Sequence, residues 1–523
     1  MKDVSVDIFL VIISFLKLPD LAALSRACTS YFFIIEKEMQ REALANGLGL
    51  IQACEEKNFL LSRHLLSSNI DDYLDKHPKA SLHLPESLHL AVFQPPNGQG
   101  CLPGCEDVLQ ELIERGVDLD AQDKNGRTAL HQAIDHCASF RHMETLLRAG
   151  ANPNLQDRWG NTALHLAVRM LNQKMVNLLL ERGADVDSLN NSGDTPLHGL
   201  TSSGSRPSIL DPDIMNLFME CIKHLLRAGA DPNIRNSRHE TPLTKVVRIH
   251  QVEAVEAVKE LLNYEADPSA SSAYGTAAHL AARLGHISIL EKLIEFNSDI
   301  NARDIRDYTP LHYAVEHDHL PIVELLLQHD ANLEARDNRY HTPLHFASEL
   351  YRPSILQLLL NQEVNVNPRN DEDSTPLHLA SWPHESSLEC VKLLLAKGAD
   401  PNAYDAYGET ALHHAVLQRP EDPTYHVSAE IVKALIFSGA DPNTPAVGIP
   451  GYDGGIPQLC TALHVAAGSG NLAAVELLIN SGGDPNAKDF NGETPFDKAR
   501  KARPYSRERS ECANLLLGKV LTP

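Results

Sequence analysis

The chain has 523 residues, 43% of them hydrophobic, and a formal net charge of −23 from 46 Lys plus Arg against 69 Asp plus Glu. The apolar fraction is ample for a folded core, while the charge argues against a chain that binds nucleic acid or an anionic membrane through its whole electrostatic field. The cysteines, Cys28, Cys54, Cys101, Cys105, Cys137, Cys221, Cys390, Cys460 and Cys512, are odd in number and scattered, the pattern of reduced thiols packed as small hydrophobes in the cytoplasm and/or nucleus.

In chain order, residues 3–35 come first and stand apart from the rest of the chain. Ile8 to Leu16 is an apolar run, interrupted by Ser14 alone, between Asp7 and Lys17, too short to span a bilayer, which needs about 20 residues. It could pass for a signal-peptide core, but Asp3 and Asp7 offset Lys2 and no convincing small-x-small cleavage site comes after it. Ile8, Ile12 and Leu16 recur at four-residue spacing and so share one face of a helix. Val4-Ser5-Val6-Asp7-Ile8, Ile12-Ile13-Ser14-Phe15-Leu16, Pro19-Asp20-Leu21-Ala22-Ala23-Leu24, Ala27-Cys28 and Tyr31-Phe32 succeed one another in the order of a known module, and the segment resembles the F-box. The resemblance implies a small helical module over residues 1–46 that docks on the Skp adaptor of cullin-RING ubiquitin ligases through Asp7, Ile8, Ile12, Leu16, Leu21, Leu24 and Tyr31. The family's opening Leu-Pro is Val4-Ser5 here, and its basic residues after the cysteine are Thr29 and Ser30. The alternative is a helical cap closing the apolar end of a repeat array, although Ile8 to Leu16 leaves no polar outer face.

From about residue 47 the chain repeats one line. It opens with Thr-Pro-Leu-His-x-Ala, clearest at Thr309, Thr342 and Thr375, which stand 33 residues apart; a fixed period of roughly 20 to 50 residues signals a repeat array. Thr-Pro starts a helix, because proline suits the first helical turn and the preceding hydroxyl can cap. A second amphipathic run comes next, as in Ile322 to Gln328, and then a polar turn. The opening threonine recurs at Thr128, Thr162, Thr195, Thr241, Thr276, Thr309, Thr342, Thr375, Thr410, Thr461 and Thr494, with weaker units at Glu86 to Ala91 and Leu50 to Cys54. With Gly-Ala-Asp-Pro-Asn in the turns, the line resembles the ankyrin repeat. The fold expected is therefore an all-α ankyrin-repeat solenoid over residues 47–523, about 12 or 13 repeats with the first two divergent and the last a cap, preceded by the F-box-like module.

Nine histidines, His131, His165, His198, His279, His312, His345, His378, His413 and His464, occupy one motif position. They read as hydrogen-bonding residues between neighbouring loops rather than as metal ligands or catalysts. Cys101-x-x-x-Cys105 lacks a second ligand pair and reads as loop cysteines. The period slips at Ser202 to Pro212, and Gln94 to Gly104 and Gln418 to His426 occupy the equivalent place, so three Pro-rich or Gly-rich loops are expected on one edge; Thr444 to Leu459 lengthens a hairpin finger.

Just before the motif threonines, Lys124, Arg127, Arg158, Trp159, Arg238, Arg306, Tyr308, Arg339 and Tyr407 form a row of cations and aromatics at finger positions. These residue types anchor interfaces, so in a chain this acidic the row reads either as a partner-binding surface, suited to an acidic protein, or as solvated finger tips that tolerate any polar residue. The finger glycines Gly126, Gly160, Gly193, Gly408 and Gly492 give way in the centre to His239, Asp307, Tyr340 and Asp373. Those closing the second helices give way to Glu265, Asn297, Asp330 and Glu363. Such replacements cost on the order of 1 kcal/mol where the backbone is left-handed, so the centre should be softer than its flanks. Phosphate-binding loops, nucleophile elbows and zinc-protease helices do not occur. The expectation is a non-enzymatic adaptor, without cofactor or metal, that recruits a substrate protein to a Skp-cullin-F-box ligase, or else a plain interaction scaffold.

Overall fold

The computed structural model describes residues 88–89, 105–135, 140–200, 212–249, 254–417, 425–446, 459–501 and 507–520. The F-box-like segment with Asp7, Ile8, Ile12, Leu16, Leu21, Leu24 and Tyr31 lies outside them. So do the expected loops at 94–104, 202–211 and 418–424, most of 444–459, and the side chains of the Cys101 and Cys105 pair.

Among the described residues there are 23 α-helices and no strand, in the order expected of helix pairs. The first helix of each pair begins at a motif threonine, as in Ala163–Arg169, Pro310–Glu316 and Pro343–Glu349. Thr309 is the N-cap with extended backbone at φ −98° and ψ 165°, and Pro310 occupies the first turn. These helices span about two turns, too short to persist alone, and are held by burial. Leu311, Ala314 and Val315 are fully buried, as are Leu164, Ala167 and Val168 in the corresponding helix. The second helices, such as Gln173–Glu181 and Leu320–Gln328, bury Val176 and Leu179, or Val323 and Leu326, against them. Fully burying such a side chain is worth roughly 1.5–3 kcal/mol. Helix Pro310–Glu316 packs on the first helices of the repeats before and after it, Ala277–Leu284 and Pro343–Glu349, and on its own partner Leu320–Gln328.

The chain divides into two compact units. One comprises the described residues up to Ile249 with Glu256–Asp267, and the other those of His250–Val255 and from Pro268 onward. Each is a stack of these helix pairs, an α solenoid. The thiols of Cys221, Cys390, Cys460 and Cys512 are free and buried, and burial pushes each up to about 12, so they pack as inert apolar groups. No described helix is long and apolar enough to cross a membrane.

Candidate functional site

The loops between helix pairs project as fingers, each folded around one carboxylate or amide. Asp304 Oδ1 accepts the N–H groups of Arg306 at 2.8 Å and Tyr308 at 2.9 Å, and Asp337 Oδ1 those of Arg339 at 2.9 Å and His341 at 2.7 Å. Asp123, Asp157 and Asp405 do the same in their fingers. This turn requires a left-handed residue three positions after the acid. Gly126 supplies it at φ 71°, and Asp307, Tyr340 and Asp373 do so without being glycine, at φ 61°, 59° and 52°. Successive fingers are tied by backbone bonds, from Arg158 N–H to Asn125 O at 2.8 Å, Asn338 to Arg306 O at 3.0 Å, Asp371 to Arg339 O at 3.0 Å and Ala406 to Glu372 O at 2.8 Å. Glu265, Asn297 and Asp330 are left-handed as expected, whereas Glu363 is not, because that turn closes without such a residue.

The motif histidines lock each first helix to the next finger. The Thr309 N–H donates to His312 Nδ1 at 3.0 Å, so Nε2 carries the ring proton and donates to His341 O at 3.3 Å in the next repeat. The other eight make the same two-ended contact, reaching carbonyls such as Tyr308 O from His279 and Ser374 O from His345. His89, in one of the weak units, reaches Arg127 O at 2.8 Å. Burial holds His198, His312, His378 and His413 down to about 4 and His345 to about 3, which keeps them neutral in this role. At Thr241 the motif position is Thr244, whose hydroxyl donates to Thr241 O at 2.9 Å within its own repeat.

In four repeats the side chain four residues after the motif threonine is polar and answers the second oxygen of the finger acid. Gln132 donates to Asp123 Oδ2 at 3.1 Å, and the Tyr313 hydroxyl to Asp304 Oδ2 at 2.7 Å. Lys498 Nζ lies 2.7 Å from Asp489 Oδ2 and 2.9 Å from Glu493 Oε2, and His414 Nε2 lies 3.1 Å from Asp405 Oδ2 and 3.4 Å from Glu409 Oε2. Where this position is Leu166, Asp157 Oδ2 is buried without a partner. Asp405, Glu409 and His414 are all buried and converge closely enough to hold a metal ion. However, His414 Nδ1 lies 3.2 Å from the carbonyl of His378 and can only donate to it. Both ring nitrogens thus face acceptors, and the group is an imidazolium between two carboxylates, as Lys498 is an ammonium between two. Burial opposes that charge, but the bonds to Asp405 and Glu409 lift the imidazole to about 9.

The row of finger cations and aromatics divides in three. Lys124, Arg158 and Arg238 are exposed, Arg127 and Tyr407 half-buried, and Trp159 is 47% exposed with the guanidiniums of Arg127 and Arg158 at 5.4 and 5.1 Å from its ring centre. Arg306 is held internally, 4.1 Å over the Tyr308 ring with Nη2 donating to the Tyr313 hydroxyl at 2.8 Å. Arg339 leans on Asp371 at 3.7 Å and Glu372 at 3.6 Å of the next finger. Tyr308 does not belong to the surface. Its side chain packs against His312, Tyr313 and Phe346, leaving the residue 8% exposed, because the position before the motif threonine turns inward to offer its carbonyl to a histidine. The structure adds a second row that the motif does not single out, the residue just before each finger acid: Gln122, Gln156, Arg303, Arg336 and Arg369. The recurrence of arginine at 33-residue steps is the signal for it in the sequence.

Family profiles described as ankyrin repeats match overlapping segments from residue 88 to 446 and again over 453–499. The chain belongs to the ankyrin-repeat family. It is 30% identical over 192 residues to the B-cell lymphoma 3 protein homolog of Mus musculus, covering 36% of this chain and 30% of that protein. It is 27% identical over 443 residues to the E3 ubiquitin-protein ligase KEG of Arabidopsis thaliana, covering 83% of this chain and 22% of that protein. Similarity to the neurogenic locus notch homolog protein 1 of Danio rerio is 32% over 218 residues, 41% of this chain and 7% of that protein. The chain thus spans less than a third of the length of each of these relatives. As in the family, the repeats form a protein-interaction scaffold.

Proposed function

We propose that this ankyrin chain is a substrate-recruiting adaptor of a Skp-cullin-F-box ubiquitin ligase. The F-box-like segment docks on the Skp adaptor, and the fingers capture the substrate, in the cytoplasm and/or nucleus. The observation that carries this reading is the ordered match of Asp7, Ile8, Ile12, Leu16, Leu21, Leu24 and Tyr31 to the F-box positions ahead of a repeat scaffold. The long alignment with a protein named as a ubiquitin-protein ligase supports it. On the substrate side, Lys124, Arg127, Arg158, Trp159, Arg238, Arg306, Arg339 and Tyr407 remain the proposed contacts, with Trp159 as the aromatic anchor.

The test is a pull-down of purified Skp adaptor by the intact chain and by a chain lacking residues 1–40. Retention by the first and loss by the second, with the array still folded by circular dichroism, is the expected result. A charge at Ile12 or Leu16 should weaken the complex at least tenfold, since each buried side chain is worth roughly 1.5–3 kcal/mol. Absence of Skp binding by the intact chain sinks the ligase reading and leaves a plain scaffold.

A further inference from the structure

The residue before the finger acid does the same structural work whether it is glutamine or arginine. Gln122 Nε2 donates to Gln156 O in the next finger at 2.8 Å, and Gln156 Nε2 to Leu189 O at 2.9 Å. In the second unit, Arg303 Nη1 donates to Arg336 O at 3.0 Å and Arg369 Nη1 to Tyr404 O at 2.7 Å. An amide suffices for that bond, so the charge and the further N–H groups of Arg303 and Arg369 are surplus to the fold, and the Arg336 guanidinium lies 5.9 Å from the Tyr340 ring centre. Arg303, Arg336 and Arg369 are exposed and stand 33 residues apart on consecutive fingers, tied through Arg306, Arg339 and their backbone partners. The nearby acids are mostly engaged elsewhere. Arg339 takes Asp371 and Glu372, Asp304 is answered by Tyr313, and only Arg303 has a carboxylate of its own, Asp307 at 3.6 Å. Among the described residues, no carboxylate lies within ion-pair reach of Arg336 or Arg369. Beside them Tyr340, 54% exposed, and Ile305, 80% exposed, offer apolar surface.

Resting on the reading of the fingers as the partner-binding surface, we propose that Arg303, Arg336 and Arg369 form an edge that binds an extended acidic segment of the partner protein. Helices that pack together lie about 8–10 Å apart, which sets the step between fingers, and an extended chain advances about 3.3 Å per residue. One finger therefore meets every third residue. The segment recognised carries Asp or Glu at i, i+3 and i+6, with carboxylates on the guanidiniums and intervening side chains against Tyr340 and Ile305. Guanidinium suits this better than ammonium, because its planar fork can hold a carboxylate with the N–H groups left over from the finger bond.

The experiment uses the full chain and two fluorescein-labelled peptides of identical composition, five Glu-Gly-Ser units against a version with the five Glu contiguous, with anisotropy read at low salt. The spaced peptide should bind at least threefold more tightly, and its affinity should fall as salt rises. The triple variant Arg303→Gln, Arg336→Gln, Arg369→Gln keeps at 303 and 369 the finger bonds that Gln122 and Gln156 make and gives up at 336 only the 5.9 Å contact with the Tyr340 ring, so its thermal unfolding should be unchanged. Its binding should weaken about tenfold, the product of three exposed ion pairs. Equal affinity for the two peptides, or unchanged binding by the triple variant, overturns the proposal. The triple variant should still retain the Skp adaptor; failure of the intact chain to do so sinks the ligase reading and leaves the peptide result standing.

Discussion

The fingers of the two units are folded by the same hydrogen bonds and finished by different residues. In the first, Gly126, Gly160 and Gly193 hold the left-handed position, and a Cβ there would meet the backbone nitrogen of the next finger at 2.8, 2.6 and 2.8 Å. In the second, Asp307, Tyr340 and Asp373 hold it at φ values of 52–61°, while Gly408 and Gly492 keep glycine there and His239 in the first unit does not; arginine stands at 303, 336 and 369 where the first unit has Gln122, Gln156 and Arg235. Glycine in this turn thus serves two ends, a backbone conformation and a close approach of fingers. The fingers of Asp307, Tyr340 and Asp373 keep both, since the same backbone bonds tie them to their neighbours at 2.8–3.0 Å, and they carry side chains outward as well. These three accept a backbone strain that the glycine fingers avoid.

The largest expected difference between them is in acid. A buried histidine whose folded value lies near 4 is neutral in the native state. The unfolded chain takes up a proton near 6.5, so the histidine's contribution is complete above 6.5 and is lost as pH falls toward 4. Each such residue removes on the order of 1 kcal/mol per pH unit in that window. His312, His345, His378 and His413 belong to the second unit and His198 to the first, and burial also lowers His279, His317 and His464 in the second and His131, His142 and His165 in the first. His414, raised to about 9, works in the other direction. Its contribution is complete below 6.5 and fades only as pH rises through 9, so it does not mask the acid effect. Hydrogen exchange followed by mass spectrometry at pH 7 and pH 5 should show the second unit losing several kcal/mol more protection than the first. Equal losses would mean that the histidine bridges do not control its stability.

A smaller effect tests the cohesion of the first unit. Gly160→Ala combines a left-handed alanine with a Cβ 2.6 Å from the Asn191 nitrogen and should cost about 2–4 kcal/mol. Gly150→Ala also sits at positive φ, 99°, but its Cβ would have nothing within 4 Å, and it should cost only about 1–2 kcal/mol. Urea unfolding of the two variants measures the gap. If they match, close approach of fingers contributes nothing and the contrast between the units reduces to backbone conformation.

Much of this is legible in the sequence because the repeat fixes local roles. The threonine and histidine of each line state their own hydrogen bonds, so the helix pairs and inter-repeat bridges can be read from spacing alone. The rest depends on neighbours in space. Arg306 reads as a free finger cation until Tyr313, on the helix it precedes, is seen to take its N–H, and Arg339 until the acids of the next finger are placed beside it. Tyr308 reads as a surface aromatic, yet it is buried, because finger residues one position apart face opposite ways. The arginines before the finger acids escape a reading centred on the motif threonines, because the finger turn separates the two in sequence while folding them into one loop.

The smallest effect concerns the strain itself. A left-handed tyrosine costs on the order of 1–2 kcal/mol relative to glycine, and a left-handed aspartate less, because its short side chain tolerates the conformation. Glycine in turn costs about 0.4–1 kcal/mol through the greater freedom of the unfolded chain. Tyr340→Gly should therefore stabilise the chain by up to about 1 kcal/mol, even though it gives up the ring's 5.9 Å contact with Arg336. Asp373→Gly should stabilise it by about half that or less, and both should slow amide exchange in residues 268–374 relative to the first unit. Denaturation midpoints for the pair decide the matter. If Tyr340→Gly lowers the midpoint, the ring carries more packing energy than the backbone loses, and the centre of the array is not soft on account of its missing glycines.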